Sequence, residues 1–303
     1  MKRGHGIDTL TRASRAYNTI GGGGAGAWNA RRDCGVNVHS FRPHSRHFIE
    51  LCRVGELAQA AKLLDAQPEI VTDRNGTNET PLHWLAIESE IEGVKLLLAR
   101  GADPNTCDGF DHTPLMDVCT LGNAELAKLL MQHGAAPNCR DAAEDLTPLH
   151  HAARSAKPAA DVIDVLLDGG AEIDPKNDGL GETPLYWAVI SGNRVTAARL
   201  IERGADLARR DWNGASLLHL AVQFGQLDVL DLLLAAGLDP NARDARQETP
   251  LHTAARSNAP EAAQRLLAAG ADRTAKNDRG ATVVECVPEE ADAELWQVLL
   301  RVA

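Results

Sequence analysis

The chain has 303 residues, 44% of them apolar, 24% charged and 4% aromatic, a balance too rich in Leu, Ile and Val for a disordered chain. Its longest apolar runs, such as 229–238, reach about half of the roughly 20 residues a membrane-spanning helix needs, and Asp231 interrupts that one. The net charge of −11 is uneven: 1–45 hold seven Lys/Arg against two Asp/Glu, the rest 24 basic and 40 acidic side chains, and so acidic a body repels phosphate backbones.

Residues 1–45 read as a flexible, basic, Gly-rich segment. Its GGGGAG run at 21–26 has no strand before it and no helix after it, so it reads as a tether rather than a dinucleotide-binding turn. Asp8, Arg12 and Arg15 break any secretory apolar core, while Arg12, Ser14 and Arg15 leave an organelle-targeting segment as a second reading. From residue 46 onward a helical pattern begins and does not stop.

One tetrapeptide organises that pattern. Thr80-Pro81-Leu82-His83 returns as Thr113-Pro114-Leu115-Met116, Thr147-Pro148-Leu149-His150, Thr183-Pro184-Leu185-Tyr186, Ser216-Leu217-Leu218-His219 and Thr249-Pro250-Leu251-His252, with a degraded copy at Thr282. Successive spacings are 33, 34, 36, 33, 33 and 33. A glycine follows each full motif by 21 residues in five copies and by 23 in the copy starting at Thr147. Two markers in step over six copies establish an internal repeat.

Each copy predicts a pair of helices. The threonine hydroxyl can accept from free amides of the first turn, and the following proline has a preset φ and no amide to leave unsatisfied. A small residue such as Gly122, Gly192 or Gly225 breaks the chain, and a second helix carries a Leu stripe, for example Val229, Leu230, Leu232, Leu233 and Leu234. Glycines 101, 134, 170, 204, 237 and 270 supply left-handed caps, and a polar Asp/Asn/Gly-rich stretch returns the chain to the next threonine. Around 154–158 two extra residues predict a longer turn between helices.

This arrangement resembles the ankyrin repeat over 46–303, about 85% of the chain. The resemblance implies an all-α solenoid of stacked helix-turn-helix units with short β-hairpin-like fingers. Full units fall at 76–108, 109–142, 143–178, 179–211, 212–244 and 245–277, with capping repeats at 46–75 and 278–303. It also implies that His83, His150, His219 and His252 are structural hydrogen-bonding groups beside the motif threonine, not metal ligands.

No catalytic motif is present: no P-loop, G-x-S-x-G, H-E-x-x-H or EF-hand loop occurs. Cys107 and Cys139 lie at neighbouring phases with His112 and His133 nearby, but no C-x-x-C pins two ligands on one turn, and no metal or cofactor is expected. Six cysteines without close pairing fit a reducing compartment, hence a cytoplasmic location. Trp84, Trp187 and Trp296 fall on core faces.

Ankyrin-like stacks usually meet partners through the concave face of finger tips and first helices. Carried over by phase, that face selects Phe110, His112, Leu121, Arg154, Leu180, Ile190, Trp212, Phe224, Arg246 and Arg256. Leu180, Ile190, Trp212 and Phe224 form an apolar patch flanked by arginines, unless Trp212 and Phe224 pack on each other for stability. The expected function is a non-catalytic interaction module, an adaptor or occluding inhibitor, for a protein or peptide. No nucleic acid, membrane or small-molecule substrate is expected. The alternative is an effector or enzyme-associated protein whose activity lies in 1–45 or in a partner, although 1–45 is too short and polar for a catalytic domain.

Overall fold

The structure, a computed structural model, describes residues 40–155, 157–177, 181–291 and 293–300. The chain divides into two compact units, residues 1–172 and 173–303. Among the described residues of the first unit the α-helices are α1 Pro43–Arg53, α2 Leu57–Ala66, α3 Pro81–Ile87, α4 Ile91–Ala99, α5 Pro114–Leu121, α6 Ala124–Gln132, α7 Pro148–Ala153 and α8 Ala160–Asp168. The second unit holds α9 Pro184–Ile190, α10 Arg194–Glu202, α11 Leu217–Gln223, α12 Leu227–Ala235, α13 Pro250–Arg256, α14 Pro260–Ala268 and α15 Ala293–Leu300. No strand forms among the described residues; the hairpin character of the fingers shows as isolated antiparallel bridges, Arg210 to Ser216 and Lys276 to Thr282.

The motif threonines start the first helices for the reason their chemistry gives. Thr80 Oγ1 accepts from the His83 amide at 3.4 Å, and His83 Nδ1 accepts the Thr80 amide at 3.2 Å. Because Nδ1 is the acceptor, the proton sits on Nε2, which donates to the His112 carbonyl of the next finger at 3.1 Å. His150, His219 and His252 accept from Thr147, Ser216 and Thr249 amides at 3.1, 3.1 and 3.2 Å. These imidazoles close capping boxes, and the structure uses them as hydrogen-bonding groups.

The fingers are shaped by one Asx side chain each. Asp108 Oδ1 accepts from the amides of Phe110 and His112, Asp211 Oδ1 from Asn213 and Ala215, and Asp244 Oδ1 from Arg246 and Glu248, all at 2.8 to 2.9 Å. Within each unit, neighbouring fingers are tied backbone to backbone, as Gly109 N to Thr77 O at 2.8 Å and Ala245 N to Asn213 O at 3.0 Å. A Cβ on Gly109 would lie 2.7 Å from that Thr77 oxygen, so only glycine permits the approach. After the second helices, Asn105 and Asn241 each clasp the following repeat, donating to the Gly134 and Gly270 carbonyls and accepting the Ala136 and Asp272 amides.

Apolar layers fill each unit. Leu85, Leu97, Leu115, Leu126, Leu149 and Leu166 are fully buried in the first, and Leu185, Leu200, Leu218, Leu233, Leu251 and Leu266 in the second. Trp187 is buried and Trp84 is half-buried, its ring edge-on to Phe41 at 6.0 Å. Phe41 is 3% exposed, and Ser45 Oγ donates to Asp73 Oδ2 at 2.6 Å. Among the described residues packing is thus already present at Phe41 and α1 starts at Pro43, ahead of residue 46, where the Phe41–Trp84 ring contact and the Ser45–Asp73 hydrogen bond hold the chain. The GGGGAG run and the remainder of 1–39 lie outside the described residues. The long turn is present: six residues, 154–159, separate α7 from α8, whereas three, 88–90, separate α3 from α4.

Candidate functional site

In the second unit the sequence-selected surface divides sharply. Trp212 is 66% exposed, the most exposed large apolar side chain there. It stands at a finger whose backbone is clamped by Asp211 Oδ1, by the Arg210 to Ser216 bridge and by the Ala245 to Asn213 bond. Gly214, at φ 74°, turns that finger so tightly that an added Cβ would meet Ala245 N at 3.0 Å. The indole is thus presented to solvent from a rigid base. Phe224, the residue that caps α11, is half-buried.

Ile190 does not join that surface. It is 2% exposed, because the last residue of α9 turns into the layer against its own unit rather than out of it. Leu180 lies outside the described residues. The apolar patch expected from four residues therefore rests on Trp212 and Phe224.

Arg246 and Arg256 come together as the sequence phase required. With Glu248, Asn277, Arg279 and Glu285 they line a depression of about 270 Å³. Arg256 pairs with the buried Glu248 carboxylate at 3.0 Å, which holds the guanidinium across the floor. Arg246 is exposed at the rim, and Arg279 was not selected by phase because it belongs to the finger of the degraded last repeat. With Asp278 also on the lining, three guanidiniums face three carboxylates, and Arg246 and Arg279, both exposed, are the cations open to a partner's carboxylate.

In the first unit Phe110 is 46% exposed on its finger, Leu121 is half-buried at the end of α5, and Arg154 is half-buried and bridged to Glu144. His112 takes a different part from the surface role expected of it. Its ring stacks edge-to-face on His151 with centroids 4.8 Å apart, and its Nδ1 lies 3.6 Å from Asp117 Oδ1. His151 Nε2 meets Asp141 Oδ2 at 2.9 Å. Asp117, Asp141 and His151 are each at most 3% exposed. Four residues after the motif threonine or serine the chain carries Trp84, Trp187 and Leu220 in three repeats and Thr253 in the sixth, while the two adjacent repeats between Trp84 and Trp187 carry the ionisable Asp117 and His151. His112, Asp141 and His151 are the group among the described residues whose spacing would suit a metal ion; Cys107, Cys139 and His133 do not join it.

Burial pushes the His151 imidazole below its ordinary 6.5, against the opposing hydrogen bond from Asp141. For Asp141, burial disfavours ionisation, yet the bonds from His151 and the Glu144 amide outweigh it and bring the carboxyl to about 2. Burial also lowers His219 and His252. A histidine whose folded value is depressed stabilises fully above its unfolded value near 6.5 and loses that contribution as pH falls below it. Stability is therefore expected to decline between pH 7 and pH 5, before Asp141 titrates, and urea midpoints across that window measure it. Asp174 and Asp211, raised by burial, act with the opposite sign, so the histidine share is read from the smaller slope of a His252→Gln variant.

Nothing described here assembles a nucleophile. Burial raises Cys52 to about 12 and holds Cys119 well above its ordinary value, so neither thiol ionises at neutral pH. No helix among the described residues is long and apolar enough to cross a membrane.

Comparison with known proteins agrees with this geometry. The family model for ankyrin repeats in three copies matches residues 82–177, 149–244 and 213–277, together more than half of the chain. The palmitoyltransferase AKR1 of Saccharomyces cerevisiae is 39% identical over 184 residues, covering 59% of this chain and 24% of the yeast protein. A putative palmitoyltransferase ZDHHC13 of Danio rerio is 36% identical over 86 residues, 28% of this chain and 13% of that protein. The chain thus spans a quarter or less of these curated relatives. Among solved structures, the human ASB11 ankyrin repeat domain superposes with a TM-score of 0.65 at 26% identity, covering 73% of this chain and 97% of that one.

Proposed function

We propose that this chain, which belongs to the ankyrin-repeat family, is a protein-interaction module without chemistry of its own, acting as an adaptor or by occluding its partner. The observation that carries this reading is Trp212, an indole 66% exposed on a finger whose backbone is pinned at both ends. Large exposed aromatics on rigid supports are the residues that dominate binding energy, since little freedom is lost when they are covered. The Arg246, Arg256 and Arg279 depression adds a polar flank on the same unit, which suits a partner segment carrying an acidic side chain.

The palmitoyltransferase relatives favour a second reading, in which the module serves an enzyme. The similarity covers a minor part of those proteins, so the enzymatic role would belong to a partner or to sequence beyond the repeats. In either case the repeats recognise and the chemistry lies elsewhere. A reducing, cytoplasmic setting fits the unpaired thiols of Cys52, Cys107, Cys119, Cys139 and Cys286.

The test is a Trp212→Ala/Phe224→Ala double variant of the full chain. A partner captured by the wild type and identified by mass spectrometry is titrated against both proteins. Affinity should fall by about 30-fold or more, the effect of one lost hot spot of about 2 kcal/mol, with the melting temperature nearly unchanged. Undiminished capture, or a protein that simply melts much earlier, would overturn this site.

A further inference from the structure

We propose that His112, Asp141 and His151, with Asp117 beside them, form a binding site for one divalent first-row transition-metal ion of the zinc class. Ligand atoms of the first three all lie within 4.8 Å of one another. Zinc bonds nitrogen and oxygen at about 2.0–2.2 Å, which sets tetrahedral ligand atoms roughly 3.4 Å apart. Closing to that spacing needs side-chain shifts of about 1 Å. Asp117 Oδ1 lies 3.6 Å from His112 Nδ1 but stands outside that group, so the fourth position is left to a solvent water.

The second support is the register. Position four after the motif threonine or serine carries Trp84, Trp187 and Leu220 in three repeats and a buried Thr253 in the sixth. Two neighbouring repeats place Asp117 and His151 there instead, 1% and 3% exposed. Burying polar groups where apolar packing would serve costs free energy unless they are paired, and His151 meets that need through Asp141, the same contact an ion would take over. One carboxylate and two imidazoles form a mixed N/O set that suits zinc, cobalt or nickel better than calcium or magnesium.

The surroundings orient the donors. The Glu144 amide donates to Asp141 Oδ1 at 2.8 Å, leaving Oδ2 turned to His151. The His112 amide is held by Asp108 Oδ1 at 2.9 Å, and its carbonyl accepts from His83 Nε2. Such outer contacts fix ligand direction. The His112 side chain is 23% exposed and gives the ion a way in from solvent, while the other donors stay buried. On binding, the ion replaces the hydrogen bond between His151 and Asp141, and the His151 proton moves to Nδ1. The ion would join the finger before α5, the finger before α7, and α7.

The test uses the full chain, stripped with chelator and titrated with Co(II) and Zn(II). One equivalent of Co(II) should give a visible tetrahedral band without thiolate charge-transfer absorption, Zn(II) should displace it, and zinc should raise the melting temperature. His112→Ala, partly exposed and chosen to spare the core, removes a ligand itself and should weaken binding by more than the roughly 10–100-fold of a lost outer contact and abolish the zinc-dependent melting shift while leaving the metal-free melt close to wild type. His151→Gln should weaken binding likewise. A thiolate band, unchanged affinity in His112→Ala, or no stoichiometric binding would overturn the proposal.

Discussion

Leu233→Ala is expected to cost about 2–5 kcal/mol. Leu233 lies in α12, fully buried, in the layer that α11 and α12 form with the rest of the second unit. Removing its branched end subtracts transfer free energy and leaves a cavity that short helices, pinned by capping boxes and finger bonds, cannot readily close. Because a repeat contacts chiefly its sequence neighbours, the damage should stay in the second unit. Amide exchange in α11 to α14 should therefore accelerate well before exchange in α5 to α8. A uniform acceleration along the chain, or one sharp transition by every probe, would show that the array unfolds as a single block.

His219→Ala is the second large effect, expected at about 3–5 kcal/mol. The imidazole is 2% exposed and its two nitrogens are both committed. Nδ1 receives the Ser216 amide at 3.1 Å and lies 2.8 Å from Ser216 Oγ, and Nε2 donates to the Glu248 carbonyl at 3.0 Å. Truncation leaves a buried donor and a buried acceptor unmatched, at about 1–3 kcal/mol each, and adds a cavity. Ser216→Ala should cost about 0.5–2 kcal/mol, since it removes only the cap. In a double-mutant cycle the two losses should fall short of additive, because Ser216 Oγ and His219 share one contact. Full additivity would mean the serine and the imidazole act independently.

These two residues also show how far the sequence reaches. Leu233 was legible from a stripe at helical spacing, and His219 from its fixed distance to a motif hydroxyl, because both depend on contacts within a few residues or on one repeated register. The same logic placed Trp212 on a finger and Arg246 beside Arg256. It failed at Ile190, seven residues after Thr183, whose side chain is buried although Arg256 at the same phase lines the surface depression. Phase fixes a Cα position on the repeat, while the direction of a helix-terminal side chain follows from the packing it meets.

The repeat, its helix pairs, their caps and their core were determined by the sequence alone, since helix starts, glycine caps and apolar stripes are local chemistry copied at a regular period. The tertiary structure decided which residues of different repeats meet. His112, Asp141 and His151 are separated by ten to thirty-nine positions and converge only once the layers stack. It also decided that Phe41 and Ser45 are buried and that the chain forms two compact units, because both depend on distances between surfaces that no local pattern encodes.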